Sequence, residues 1–278
     1  MSLFQKGTCS LSNNNESNTC YDLSMLQEIG KKLNQLYNLS IPISDNIEIL
    51  YNNISSALSD KDELINSCKD ESCLLDIADT KSYYSKYFAP IAPENWKTDK
   101  TTMLNTLHIK QVGEQIQTKY PKFKFLGVTP IDFSNKVNGK YIHDLITNVN
   151  ISKLKQQGYD YFGMVFNTDP HYKGGEHWIC LFVNIKTKTL YYYDSYAESP
   201  EQEVLDYMLL LYNQFGNGVK LLYNQTIHQK KGNECGMYCL YFLLKMVENN
   251  SNYEETIKNM PNDDDINLKR GDFFNLIG

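Results

Sequence analysis

HWICLFVNIKTKTLYYYDS, residues 177–195, is the stretch that decides the fold. Two apolar runs, Trp178–Val183 and Leu190–Tyr193, are rich in β-branched and aromatic residues and are separated by a short polar segment. The pattern predicts two antiparallel strands around a turn near Lys186. With the turn centred at Ile185–Lys186, His177 and Asp194 fall opposite each other. A slip of one or two residues still leaves them on neighbouring strands, within side-chain reach directly or diagonally. A carboxylate beside an imidazole fixes its tautomer and stabilises the imidazolium, as a general base requires. By itself such a pair on a sheet is more often structural.

Downstream, Pro200–Phe215 reads as a helix, Val219–Tyr223 as a strand and GNECGMYCLYFLLKMV (232–247) as a turn opening a long apolar helix at Cys235. Unpaired N–H groups and the positive dipole end at a helix start stabilise a thiolate, so a reactive cysteine suits this position. Gly236 is expected to leave the backbone accessible to a substrate carbonyl, and Cys239, one turn on, to be an inert thiol facing the core. Gln229, six residues before Cys235, offers an amide that can donate to an oxyanion together with the Cys235 backbone N–H.

Upstream, Tyr161–Asn167 and FKFLGV (123–128) read as strands, and Pro170, Gly174 and Gly175 mark a loop before His177. Asn167 and Asp169 sit in position to shape the site, though a turn motif explains them as well. Thr101–Tyr120 reads as one helix with Met103, Leu104, Leu107, Val112 and Ile116 inward, stopped before Pro121. Up to about Pro90 the chain reads helical, with Leu23, Leu26, Ile29, Leu33 and Leu36 forming one stripe and a second stretch from Lys61 to Phe88. Pro90 and Pro93 then break the pattern, dividing a helical arm, 1–90, from a core, 91–278. The whole is an α+β reading.

A chain of 278 residues with 41% hydrophobic and 22% charged content is an ordinary globular composition, and a net charge of −6 gives no general basic surface for nucleic acid. Neither the N-terminal stretch nor any apolar run has the length of a signal core or a membrane span, which points to a cytosolic or nuclear protein. The Asn-x-Ser/Thr triplets at Asn38, Asn53 and Asn150 are then accidental. The 7 cysteines lack the density of a disulfide framework and are expected as free thiols in a reducing compartment. Cys68 and Cys73 have no second Cys/His pair at zinc-like spacing, so no metal is expected.

The joint pattern of His177-Trp178, Asp194 17 residues on, Gln229 and Cys235-Gly236 resembles the ubiquitin-like-protein protease family, which includes the adenovirus-type proteases. The resemblance covers roughly Trp96–Val247 and implies a papain-like core, a central mixed sheet flanked by helices, with the roles argued above. MLNTLHI (103–109) is similar to the family's substrate-groove segment, with Met103 in place of tryptophan and Thr106 in place of aspartate. Met103 and Trp178 would be the walls of a narrow tunnel passing residues without side chains, hence cleavage after Gly-Gly. The stretches KDESCLLD, YFAP, FKFLGVTPIDF, FNTDPHYKGGEHW and HQKKGNECGMY further resemble proteases of large DNA viruses such as African swine fever virus, where a helical arm precedes the core. That likeness implies a thiol endopeptidase without a cofactor, cutting structural precursors at Gly-Gly-x sites in the virion and the host cytoplasm. The alternatives are a deconjugase for ubiquitin-like modifiers and a pseudoprotease that binds them, the latter disfavoured because all four chemical residues are present.

Overall fold

The computed structural model describes residues 3–13, 17–99 and 101–276. It divides into two compact units, Met1–Glu94 with Gly271–Gly278, and Asn95–Arg270. The mixed α+β architecture expected from the sequence is present, with a central mixed sheet flanked by helices.

The second unit is built on five strands: β1 (Phe123–Pro130), β2 (Tyr161–Asn167), β3 (Trp178–Asn184), β4 (Thr189–Tyr193) and β5 (Lys220–Tyr223). They lie in chain order across the sheet. The outer pairs, β1–β2 and β4–β5, are parallel, and β2–β3 and β3–β4 are antiparallel. Every residue of β3 is buried, which explains why WICLFVN reads as a continuous apolar run instead of an alternating one. One face packs against α4 (Gln202–Phe215) through Val204, Tyr207, Met208 and Leu211. On β1 and β3 also pack α3 (Thr106–Lys119) and α5 (Cys235–Glu248). The helix α5 is apolar nearly all round, as a helix enclosed by its neighbours must be.

The β3–β4 register pairs Cys180 with Tyr193 and Asn184 with Thr189, so the turn is centred one residue beyond the place inferred from the sequence and each partner shifts by two. Extended by three pairs, this register sets His177 against Tyr196, with Asp194 diagonal to His177. The helix expected from Thr101 starts at Thr106, because the Asn105 side chain accepts from His108 N and the His108 ring accepts from Asn105 N, closing a capping box. Met103 and Leu104 therefore precede the helix, and Leu107 faces out at 56% exposure.

The first unit contains α1 (Leu23–Tyr37) and α2 (Ile47–Leu58) around a core that includes Leu26, Ile29, Leu33, Leu50 and Ile54. The expected helix from Lys61 to Phe88 is broken into short pieces at 62–65, 73–77, 81–83 and 84–87. Four cysteines expected as free thiols are paired, Cys9–Cys20 and Cys68–Cys73, with Cα separations of 5.2 and 5.5 Å that lie in the range a disulfide spans. Cys180, Cys235 and Cys239 are free. The C-terminal segment joins this unit, where Asn275 N donates to Pro90 O, Ala92 N donates to Asn275 O, and Asn275 Nδ2 donates to Asp70 Oδ2.

Candidate active site

The turn after β4 gathers most of the site. Asp194 is 1% exposed and fully engaged: Oδ1 accepts from Tyr196 N at 2.9 Å and Oδ2 from Glu198 N at 3.1 Å. Asn224, at the end of β5, clamps its backbone by accepting from Asp194 N at 3.0 Å and donating to Asp194 O at 2.6 Å. The carboxylate is thereby aimed at the residue before β3, and His177 Nε2 meets Asp194 Oδ1 at 2.7 Å. Cys235, the first residue of α5, interacts electrostatically with the same imidazole. With Nε2 held by the carboxylate, Nδ1 is the nitrogen left to exchange a proton with the thiol. Burial alone would lower the His177 pKa, but the Asp194 bond and Cys235 together raise it to about 9, favouring an imidazolium at neutral pH.

Gln229 is 1% exposed, in the loop before α5. Its Oε1 accepts from Ser195 Oγ at 2.7 Å, and its Nε2 donates to Gly232 O at 3.0 Å and Tyr196 OH at 3.1 Å. Its backbone N–H and that of His228 both donate to Ser195 O, and Lys230 N donates to Asp263 Oδ2, so the loop is fastened at both ends. Gly232, with φ of +77°, provides the left-handed turn that leads into Glu234 and α5. Cys239 is buried and its thiol lies 3.3 Å from Trp178 O, in the core as expected.

A cleft of about 480 Å³ has a lining that includes Met103, Leu104, Asn167, Asp169, His171 and Trp178, the residue that follows His177 in the chain. Trp178 is 4% exposed and its indole donates to Leu104 O at 2.8 Å, which fixes the indole against the segment that carries Met103. The buried Arg270 guanidinium, 4.4 Å over the Trp96 ring, donates to Thr101 O and Thr102 O and holds that segment from its other end. Asn167 lines the cleft while its Oδ1 accepts from Asp169 N and Glu176 N, closing the loop before His177. His171 secures that loop through Asp132, its N–H at 2.9 Å and its Nδ1 at 2.6 Å.

Gly236 departs from its expected role. It is buried, and a Cβ there would stand 3.1 Å from Leu104 Cβ and 3.3 Å from Ile109 Cδ1 and Trp178 Cδ1, so its missing side chain lets α5 approach the Trp178 wall. Sequence reasoning also missed Ser195, Tyr196 and Asn224. The DS pair after β4 was in view, but nothing in spacing alone tells which neighbours of a carboxylate point inward. Among the described residues no group of three or more His, Cys, Asp or Glu is placed to hold a metal ion, and no helix is long and apolar enough to cross a membrane.

The chain is 27% identical to a thiol protease of Acanthamoeba polyphaga mimivirus, covering 93% of this chain and 90% of that one. It is 26% identical to a SUMO-1 cysteine protease of African swine fever virus, over 80% of this chain and 88% of the relative. The crystal structure of the African swine fever virus protease superposes with a TM-score of 0.69 at 20% identity, covering 97% of this chain and 96% of the other, a likeness of fold. Residues 80–270 match the Ulp1 protease family, C-terminal catalytic domain. On this evidence of sequence and fold, the chain is a cysteine peptidase that belongs to the Ulp1 protease family.

Proposed function

We propose that Cys235 is the nucleophile of this peptidase, His177 its base and then its acid, Asp194 the carboxylate that orients His177, and Gln229 an oxyanion donor beside the Cys235 backbone N–H. The observation that carries this reading is an imidazole bonded at 2.7 Å to Asp194 whose pKa is raised by that carboxylate and by the cysteine opening α5. Sulfur attacks the scissile carbonyl carbon as the Cys235 proton rests on His177, and the carbonyl π pair moves to oxygen. Collapse of this oxyanion expels the amine, which takes the His177 proton and leaves a thioester. Water, deprotonated by His177, then releases the acid and restores the thiol.

The substrates are proteins cut after Gly-Gly, read from Met103 and Trp178, the residue after His177, lining one cleft. Relatives matching most of the chain are proteases of large viruses, and in such a setting the substrates are structural precursors, cut during virion maturation in the infected cytoplasm and the particle. Residues 1–90 act as a helical arm and the catalytic core lies within 91–278, of which the segment from Gly271 belongs to the first unit; neither cofactor nor nucleic acid takes part.

Peptide-library cleavage by the wild type and by Cys235→Ala tests the assignment. The wild type is expected to cut Gly-Gly-x peptides, to be labelled at Cys235 by a Gly-Gly aldehyde and to be indifferent to EDTA. Wild-type turnover by Cys235→Ala would overturn the site. Preferential cleavage of ubiquitin-like conjugates over peptides and viral precursors would replace maturation with deconjugation.

A further inference from the structure

An amide nitrogen has two hydrogens to give, and both of those on Gln229 Nε2 are in use, one on Gly232 O at 3.0 Å and one on the Tyr196 hydroxyl at 3.1 Å. The oxyanion role proposed for Gln229 thus has a phenol standing in its path. That phenol is not loosely placed. The Tyr196 backbone N–H donates to Asp194 Oδ1 at 2.9 Å, and its ring stacks on the His177 imidazole with centroids 4.7 Å apart and planes 24° apart. It is 36% exposed, so it borders both the buried machinery and the open side of the site. A hydroxyl that accepts from Gln229 keeps its own proton for another acceptor, and hydrogen bonds in series strengthen one another. Burial, followed by the charges of Cys235, Glu234, Asp194 and Asp263, raises the phenol pKa, so that proton remains in place at neutral pH.

We propose that Tyr196 is a further catalytic residue, whose hydroxyl, polarised by the Gln229 amide, donates a hydrogen bond to the oxyanion formed when Cys235 attacks. The inference rests on the site reading above. No proton is transferred. The hydroxyl hydrogen stays on the phenol, and the bond strengthens as charge builds on the carbonyl oxygen. A rigid ring pinned by the triad costs little reorganisation at that moment, which is what makes such donors effective.

Steady-state kinetics of Tyr196→Phe, Gln229→Ala, the double variant and Cys235→Ala on the fastest-cleaved peptide of the library test this. Phenylalanine retains the ring over His177 and removes the hydroxyl alone. Tyr196→Phe is expected to lose about 10–10²-fold in kcat with KM nearly unchanged and the alkaline limb of kcat/KM in place. The double variant is expected to fall short of the product of the two single losses, because the Gln229 amide acts on the oxyanion through the Tyr196 hydroxyl. Unchanged or faster kcat in Tyr196→Phe would overturn the proposal, since the hydroxyl would then be a plug over Gln229. A smaller loss than tenfold, a loss in KM alone, or a displaced alkaline limb would overturn it too. If Cys235→Ala retains activity, the site reading itself fails, an outcome separate from any behaviour of Tyr196→Phe.

Discussion

The Ser195 hydroxyl donates to Gln229 Oε1 at 2.7 Å, and both residues are essentially without solvent exposure. The contact decides which end of the Gln229 amide faces the site. With Oε1 engaged by Ser195, Nε2 must point towards Tyr196 and Gly232. Ser195→Ala removes that constraint and leaves a buried carbonyl oxygen unpaired, at a cost of about 1–3 kcal/mol. We expect a lower Tm together with about a tenfold fall in kcat at nearly constant KM, a factor of ten being about 1.4 kcal/mol of lost transition-state binding. Wild-type kcat in Ser195→Ala would show that Gln229 needs no such anchor.

The raised pKa of His177 sets a pH dependence of definite sign. With the imidazolium favoured up to about 9, the alkaline limb of kcat/KM is expected near that pH, where the proton needed by the leaving amine is lost. Asp194→Asn removes the carboxylate that favours the imidazolium, so the limb should move towards lower pH as the rate drops. The same shift links to stability. A pKa raised on folding gives stabilisation that is whole below the free imidazole value near 6.5 and is lost as pH rises through about 9. Thermal unfolding from pH 6 to 10 should show this loss in the wild type and a flatter profile in Asp194→Asn. An alkaline limb that stays put in Asp194→Asn would dissociate it from His177.

Between α3 and β1 the sheet approaches a helix at Gly113. A Cβ at that position would lie 2.4–2.7 Å from three atoms of the Phe125 ring, and Phe125 is itself buried. Alanine ordinarily favours a helix by about 1 kcal/mol over glycine. Here overpacking should reverse the sign, with Gly113→Ala less stable by about 1–3 kcal/mol in denaturant unfolding. Pairing it with Phe125→Leu, which frees space for the methyl group, should recover part of the loss. A more stable Gly113→Ala would mean that β1 can retreat at no cost.

The hairpin was legible because β3 and β4 carry residues that suit only a buried sheet, and because a polar segment between them leaves few places to turn. Its register was less legible, since the turn was placed one residue early, and the resulting two-residue shift of partners hid the opposition of His177 and Tyr196. The start of α3 was misplaced because Leu104 continues the apolar spacing of the helix, whereas the Asn105–His108 capping box, also written in the sequence, outweighs spacing. Gly236 was read as open backbone because its neighbours Leu104, Ile109 and Trp178 arrive from distant segments. The pairing of Cys9 with Cys20 and of Cys68 with Cys73 depends on chain geometry in the first unit that composition does not reveal.

The proposed Gly-Gly specificity depends on the contrast between the two cleft walls. Trp178 is rigid, buried and tied by its indole to Leu104 O at 2.8 Å, whereas Met103 is half-buried and has no polar anchor on its side chain. Methionine has more rotatable bonds than the aromatic ring it faces and adapts to what it touches. If Met103 closes on Trp178, glycine is required at the two positions before the scissile bond. A Gly→Ala change there then costs at least the roughly 1–3 kcal/mol of one extra carbon in a tight site. We expect Gly-Gly-x peptides to be cut at least tenfold faster than Gly-Ala-x, Met103→Ala to narrow that gap, and Met103→Trp to widen it. Trp178→Ala should harm turnover more broadly, because it also removes the packing under Gly236 at the start of α5. Equal cleavage of Gly-Gly-x and Gly-Ala-x by the wild type would show that the two walls stand too far apart to select, and recognition would then have to come from the rest of the cleft between Asn167 and His171.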